Sequence, residues 1–344
     1  ADIIEKTTRK GYLSVDERRV TMRDIAARTG YTINTVSQAL RDSPLLRDST
    51  KACIRAAAQE LGYVPNALAG SLRSGSSKTI AIIVGDTSNL HFAILIRAFE
   101  IALRSYGYHV FVMNTDENAA YELEAVKTAI SQRVDGVLLC PCQKSMQAVG
   151  LLQGHSIPCV IFGRHFADMP AVVWDDEQGG YLAGQHLAAR GCKKLLMINV
   201  PDLISSAKER AAGFQRAMQE SGLHADVLCS SPGGGDIVAP LDAYIAKNGC
   251  PDGIFAFSDL LAMDAACCLQ ARGLRVPEDV RLIGYDDILS HMHLPFPLSS
   301  VAADTDEEIR LCVERLMAHI HKQTPAQEGL YKLDVHLVCR ESSI

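Results

Sequence analysis

VTMRDIAARTGYTINTVSQAL, residues 20–40, reads as two short helices joined by a tight turn. Thr21-Met22-Arg23-Asp24 has the form of a capping box, in which hydroxyl and carboxylate each satisfy an orphan N–H at a helix start. The helix it opens, over Ile25-Ala26-Ala27, stops at Gly30, where a left-handed residue is required, and Thr32 can cap the next one. That second helix, Ile33–Leu40, sets Val36, Ala39 and Leu40 on an inner face. Ile33, Asn34, Ser37 and Gln38 are left for the outer face, while Ala26 and Ala27 let the two helices approach closely. A third helix, from about Ser49 to Leu61, would bury Ile54, Ala57, Ala58 and Leu61. A short helix, a turn of three residues and a second short helix with a polar outer face form the helix-turn-helix geometry that enters the DNA major groove. A small helical protein-contact domain would carry the same pattern.

Outward from this head the texture changes twice. Residues 65–78, PNALAGSLRSGSSK, form a Pro-led connector rich in Ala, Gly and Ser. From Thr79 onward, short apolar runs of strand type alternate with helical stretches. The runs are Thr79–Val84, His109–Met113, Gly136–Cys140, Cys159–Phe162, Leu195–Val200, Gly253–Phe257 and Arg281–Gly284. Helical segments between them include Ala93–Tyr106, Tyr121–Arg133, Gly180–Arg190, Lys208–Ser221 and Leu260–Arg272. Alternation at this pace predicts βαβ units and parallel sheets covered on both faces. So long a stretch exceeds one comfortable sheet, which predicts two Rossmann-like lobes with a ligand cleft beyond the carboxyl ends of their strands.

Composition narrows the class. The 344 residues are 48% hydrophobic and 22% charged, and no apolar run is long enough to span a bilayer. The polar, mixed-charge start has no apolar core of a secretory signal. Eleven scattered cysteines without a CxxC read as reduced cytosolic thiols, and no cofactor or metal is expected. His291-Met292-His293 and His319-Ile320-His321 lack companion ligands at zinc-site spacing and read as surface or packing histidines. Residues 1–78 carry 13 Lys and Arg against 8 Asp and Glu, whereas the rest carry 21 against 32. A basic head on an acidic body suits a protein whose head alone meets a polyanion. Enzyme motifs are missing: no strand-linked GxGxxG, no GxSxG, no HExxH. GSLRSGSS, residues 70–77, imitates part of a phosphate loop but lacks its Gly-Lys-Ser/Thr ending.

The runs VTMRDIAARTGYTINTVSQALRDSP and LGYVPNALAGSLRSGSSKTIAIIV resemble the lactose/purine-repressor (LacI/GalR) family. The similarity continues through Asn89-Leu90-His91-Phe92, Arg133-Val134-Asp135-Gly136-Val137, Phe162-Gly163-Arg164, Ala211-Ala212-Gly213-Phe214 and Leu282-Ile283-Gly284-Tyr285-Asp286. It closes in Leu337-Val338-Cys339-Arg340-Glu341-Ser342, so that it covers about residues 20–344 in order. The resemblance implies an all-α helix-turn-helix domain at 20–64, a hinge helix or linker at 65–78 and a two-lobed core at 79–344 like that of periplasmic sugar-binding proteins. Lobe 1 would hold about 79–174 and 304–330, and lobe 2 about 175–303 and 331–344. Residues 1–19 would be an N-terminal extension.

By the same resemblance, Ile33, Asn34 and Gln38 stand where members read base edges, and Thr32, Thr35 and Ser37 where they touch phosphates. Asn and Gln can bond an adenine edge bidentately, and hydroxyls reach phosphate oxygens. Many members carry Arg or His where this chain has Gln38, so its operator preference is its own. Leu72, within the hinge-like Asn66–Arg73, matches the leucine that wedges into the minor groove. Gly70 and Ser71 make so short a helix unstable in isolation. In the core, Phe92, Arg164, Arg210, Ser258 and Asp286 match ligand contacts, with Arg210 and Asp286 meeting at one pocket. Asp with Arg suits a hydroxyl-rich ligand, since one accepts and the other donates in a fixed fork. Several members follow the Gly235-Asp236 position with an aromatic; here it is Ile237. The implied protein is a cytoplasmic repressor, nucleoid-associated when bound to DNA. It would be a homodimer on a near-palindromic operator, answering to a small effector. A sugar leads as effector, followed by a nucleobase or another polar metabolite.

Overall fold

The computed structural model describes residues 20–65, 75–167, 169–230, 237–290, 297–323 and 329–344. The chain divides into two compact units, residues 1–74 and 75–344. In the first, helices α1 (Met22–Thr29), α2 (Ile33–Leu40) and α3 (Asp48–Glu60) close on a core of Ile25, Val36, Ala39, Ile54, Ala57 and Ala58. The caps are the predicted ones. Thr21 N–H donates to Asp24 Oδ2 at 2.7 Å, Gly30 turns at φ 75°, and Thr32 Oγ1 accepts from Thr35 N–H at 3.2 Å. Leu40 and Leu61 are only partly buried, packed against this core from its edge.

The second unit is built on two six-stranded sheets. One has the order β11-β5-β4-β3-β1-β2, formed by β1 (Thr79–Val84), β2 (His109–Asn114), β3 (Gly136–Leu139), β4 (Cys159–Phe162), β5 (Ala171–Trp174) and β11 (Leu330–Leu333). The other, β12-β10-β9-β8-β6-β7, uses β6 (Leu195–Asn199), β7 (Ala225–Cys229), β8 (Gly253–Ala256), β9 (Arg281–Tyr285), β10 (Ser299–Ala303) and β12 (Val335–Val338). Every pairing is parallel except β10 with β12. The inner strands β1, β3, β6, β8 and β9 are apolar nearly throughout because helices cover both their faces. The chain crosses between lobes after β5, β10 and β11. The last crossing falls at Asp334, a few residues later than the sequence suggests, because Leu330–Leu333 pairs in full with Ala171–Trp174.

Between β2 and β3 lies α5 (Ala119–Ser131), and α4 (Leu90–Ser105), α6 (Gln147–Gly154) and α11 (Thr305–Ile320) complete the first lobe. In the second lobe α7 (Asp176–Ala189) and α8 (Ser205–Glu220) pack nearly backbone to backbone. A Cβ on Gly213 would lie 1.8 Å from the Glu177 carbonyl oxygen, and one on Gly180 would lie 2.0 Å from that of Arg210. The two glycines therefore set the helix separation, which places Arg210 of α8 beside Asp176 of α7. The remaining helices are α9 (Val238–Asn248) and α10 (Asp259–Ala271). Ile237 is fully buried in the core that α9 and α10 share. The end of the connector belongs to the core, since Asp135 accepts from Ser77 N–H at 2.7 Å and Lys78 N–H at 3.1 Å.

Candidate ligand cleft and DNA-reading helix

On α2, Ile33 and Asn34 are exposed, Ile33 at 47%, and Thr35 and Gln38 are partly exposed. Ser37 departs from the expected outer face: it is buried, its hydroxyl accepting from Arg41 Nη2 at 3.2 Å and its carbonyl from Arg41 Nε at 3.1 Å. Arg41 lies one turn on and folds back over it. Thr32 and Thr35 share a hydroxyl hydrogen bond of 2.9 Å at the helix start. Leu72 lies outside the described residues.

A cavity of about 310 Å³ opens between the lobes of the core. Its walls come from the loops that follow the carboxyl ends of the strands: Asp86 after β1, Glu117 after β2, Lys144 after β3, Arg164 after β4, Pro201 after β6 and Ser258 after β8. That is where open α/β sheets bind ligands. The two walls differ in chemistry. The first lobe presents Asp86, Ser88, Asn89, Glu117, Lys144 and Arg164, whereas the second is mainly apolar, with Val200, Pro201, Leu203, Ile204, Phe257, Leu260 and Leu261 beside the polar Ser258 and Asp264. Phe92, from the first turn of α4, adds an aromatic edge on the polar side.

Three of the five predicted ligand residues, Phe92, Arg164 and Ser258, line this cavity. Arg164 is held as a fork on Glu117, at 2.7 and 2.8 Å, and also donates to the Pro141 carbonyl at 2.9 Å. Its positive charge is thus matched within its own lobe. Ser258 caps α10, accepting from Leu261 N–H at 3.4 Å, which leaves its own proton to donate. Arg210 and Asp286 do meet, with Nη1 and Oδ1 3.9 Å apart, but neither lines the cavity. Arg210 lies behind Phe257, bonded to that residue's carbonyl and to Asp176 at 2.7 Å, with its guanidinium 3.4 Å above the Tyr285 ring. Phe257 thus stands between Arg210 and the cavity, and the pair lies outside the cavity lining, a correction to the expected pocket.

Asp286 sits at the carboxyl end of β9 with φ 100°, a strained conformation for a residue with a side chain. The loop is pinned around it: Asp286 N–H donates to Val301 O at 3.0 Å, Asp287 N–H to Ser300 Oγ at 3.0 Å, and Ile288 N–H to Asp259 Oδ2 at 2.9 Å. Burial drives the Asp286 carboxyl up to about 7, against the lowering influence of Arg210. Burial likewise takes Asp259 to about 8, and Glu308, which accepts from Trp174 Nε1 at 2.9 Å, to about 7. His91 of the first lobe reaches across to Asp286 at 3.9 Å.

A polar latch that sequence reasoning missed joins the lobes at the start of α8. Ser205 N–H donates to Gln143 Oε1 at 2.7 Å, and His165 N–H donates to Ser205 Oγ at 3.0 Å. Glu209 bonds His165 Nε2 at 2.5 Å and Lys332 Nζ at 2.8 Å. The Glu209 carboxylate holds the His165 imidazole above its ordinary range. These contacts tie the first lobe to the start of α8 in the second.

Residues 21–66 match the family of bacterial regulatory proteins, lacI family, and residues 77–324 match the periplasmic binding proteins and sugar binding domain of the LacI family. The HTH-type transcriptional repressor PurR of Photobacterium profundum is 28% identical over 333 residues, covering 94% of this chain and 98% of that one. PurR of Vibrio cholerae is 29% identical over 328 residues, with 94% and 97% covered. Among solved structures, a transcriptional regulator CelR–cellobiose complex is 27% identical, with a TM-score of 0.68 over 94% of this chain and all of that one. The lac repressor dimer bound to operator and the anti-inducer ONPF is 22% identical, with a TM-score of 0.81 over 95% and 100%. With both its head and most of its core matched, the chain belongs to the LacI family of DNA-binding transcription regulators.

Proposed function

We propose that this regulator represses transcription as a homodimer on a near-palindromic operator, and that a sugar in the interlobe cavity sets its operator affinity. Ile33, Asn34 and Gln38 read base edges, while Thr32 and Thr35 reach phosphates. Ser37, covered by Arg41, supports the helix from below. The protein acts in the cytoplasm, on nucleoid DNA.

The observation that carries the effector reading is the two-faced cavity. A sugar ring has hydroxyls at its rim and an apolar C–H face. Asp86, Asn89 and the Ser258 hydroxyl suit the rim, and Val200, Leu203, Ile204 and Leu261 suit the face. The Arg164 fork is already taken by Glu117, which leaves Lys144, Asp86 and Asp264 as the other charged groups of the wall. The CelR–cellobiose complex adds support from a related protein. Arg210 and Asp286 hold the strained end of β9 beside the cavity and report its occupancy to the lobe interface.

A thermal-shift screen of neutral mono- and disaccharides, sugar phosphates and purine bases tests this reading. A neutral sugar at a hundredfold excess over its Kd should stabilise the core by about 2.7 kcal/mol, a rise of roughly 5–10 °C. A shift confined to phosphorylated or purine ligands would replace the sugar reading.

A further inference from the structure

A second feature of the core lies on the face where the chain from the DNA-reading head enters it. Gly75, Ser76 and Lys78 border a shallow depression of about 780 Å³ at the amino ends of the first-lobe strands. Around it stand Lys78, Arg133, His155, His319, His321 and Lys322, all exposed. The other titratable groups facing it are Asp135, which is occupied by the Ser76 and Ser77 hydroxyls and by backbone N–H groups, and Tyr108, whose ring lies 4.3 Å from Lys78 Nζ. Two lysines, an arginine and three histidines thus converge here from the start of β1 and the ends of three helices.

Charge arithmetic singles out the histidines. Helices α5, α6 and α11 all end at this face, and His155 and His321 are the C-caps of the last two. Each helix end contributes about −0.5 of an elementary charge. With Asp135, those ends roughly offset Lys78, Arg133 and Lys322. The face is therefore close to neutral when the three imidazoles are neutral, and strongly positive when they are charged. Histidine is the side chain that changes charge between about pH 5 and 8.

We infer that this histidine-rich face is a second DNA contact, engaging the duplex phosphate backbone beside the operator more strongly as pH falls. Duplex DNA is the favoured partner, because the chain that carries the helix-turn-helix head joins the core at Gly75, which borders this face. Tethering raises the local concentration of phosphates without any new specificity. The sequence supplies a clean control. Residues 1–78 contain no histidine, so a histidine-dependent change in DNA affinity must originate in the core.

The test uses the full chain and a random-sequence 40-base-pair duplex, which isolates phosphate contacts from base reading. Affinity is measured by fluorescence anisotropy at pH 6 and pH 8 over a salt series. Wild type should bind about tenfold or more tightly at pH 6. Its slope of log K against log salt should be steeper there by roughly 0.9 for each phosphate engaged, up to about three. The variant carrying His155→Gln, His319→Gln and His321→Gln should lose that gain while matching wild type at pH 8. His224→Gln, on the exposed side of the second lobe, should behave as wild type. Equal wild-type affinity at both pH values, a gain retained in the triple variant, or a loss in that variant of equal size at both pH values would each overturn the inference.

Discussion

Arg210→Ala should destabilise the core by about 3–5 kcal/mol at pH 8, and by clearly less at pH 6. The side chain is 9% exposed and supplies the cation for Asp176 and Asp286, which are 5% and 8% exposed. Removing it leaves two buried carboxylates without their guanidinium, the costly way to break a buried ion pair. It also removes the guanidinium from the Tyr285 and Phe257 rings. The pH dependence follows from sign. A carboxyl whose folded pKa is raised, as burial raises that of Asp286 to about 7, contributes stability below that value and loses it as pH rises through it. Without Arg210 the same group takes up its proton more readily, so acidification neutralises part of the defect. Urea unfolding followed by circular dichroism at the two pH values measures both quantities. A deficit that is small, or the same at both pH values, would mean that the three groups are not the electrostatic unit described.

Gly213→Val should lower the melting temperature of the core by roughly 6–12 °C. Its added carbons would start 1.8 Å from the Glu177 carbonyl and 2.8 Å from the Tyr181 nitrogen, both backbone atoms that cannot rotate away. Helices α7 and α8 must therefore separate. Overpacking of this kind costs about 3 kcal/mol, and a domain of this size loses about 2–4 °C per kcal/mol. The same displacement parts Arg210 from Asp176, so effector binding should weaken together with stability. Scanning calorimetry gives the first and isothermal titration the second. A melting temperature within about 2 °C of wild type would show that the helices are not locked by this contact.

What the sequence disclosed follows from burial. The three helices of the head were legible because their caps are local and their core positions recur at helical spacing. Inner strands β1, β3, β4, β6, β8 and β9 were legible because, covered on both faces, they are apolar runs, and the edge strand β2 was read as well. Strands β5, β7, β10, β11 and β12 were not among the runs read. In β7, Ala225–Cys229, most side chains are exposed and Asp226 interrupts the run. Strand β10 begins with Ser299 and Ser300, which read as loop residues yet are fully buried, because their hydroxyls bond Arg340 O and Asp259 Oδ1. Helix α11 opens on Thr305-Asp306-Glu307-Glu308, whose charges hide an apolar face that starts with Ile309.

The site was half legible for a related reason. Phe92, Arg164 and Ser258 came from resemblance and do line the cavity. Asp86, Glu117 and Lys144 were missed, although each follows a strand that had been recognised, and the rule that ligands sit beyond strand carboxyl ends would have nominated them. The setting of Arg210 behind Phe257 could not be read from sequence, because it depends on helix packing that two glycines determine from a distance.

The central claim is that one metabolite in the interlobe cavity and operator DNA on the head are thermodynamically coupled through the core. The most direct measurement is the reciprocal pair of titrations on the full chain: operator affinity with and without saturating ligand, and ligand affinity with and without saturating operator. Coupling of about 1.4 kcal/mol or more should change both dissociation constants, each by the same factor of at least ten. A ligand that binds the cleft yet leaves both constants unchanged would contradict the account.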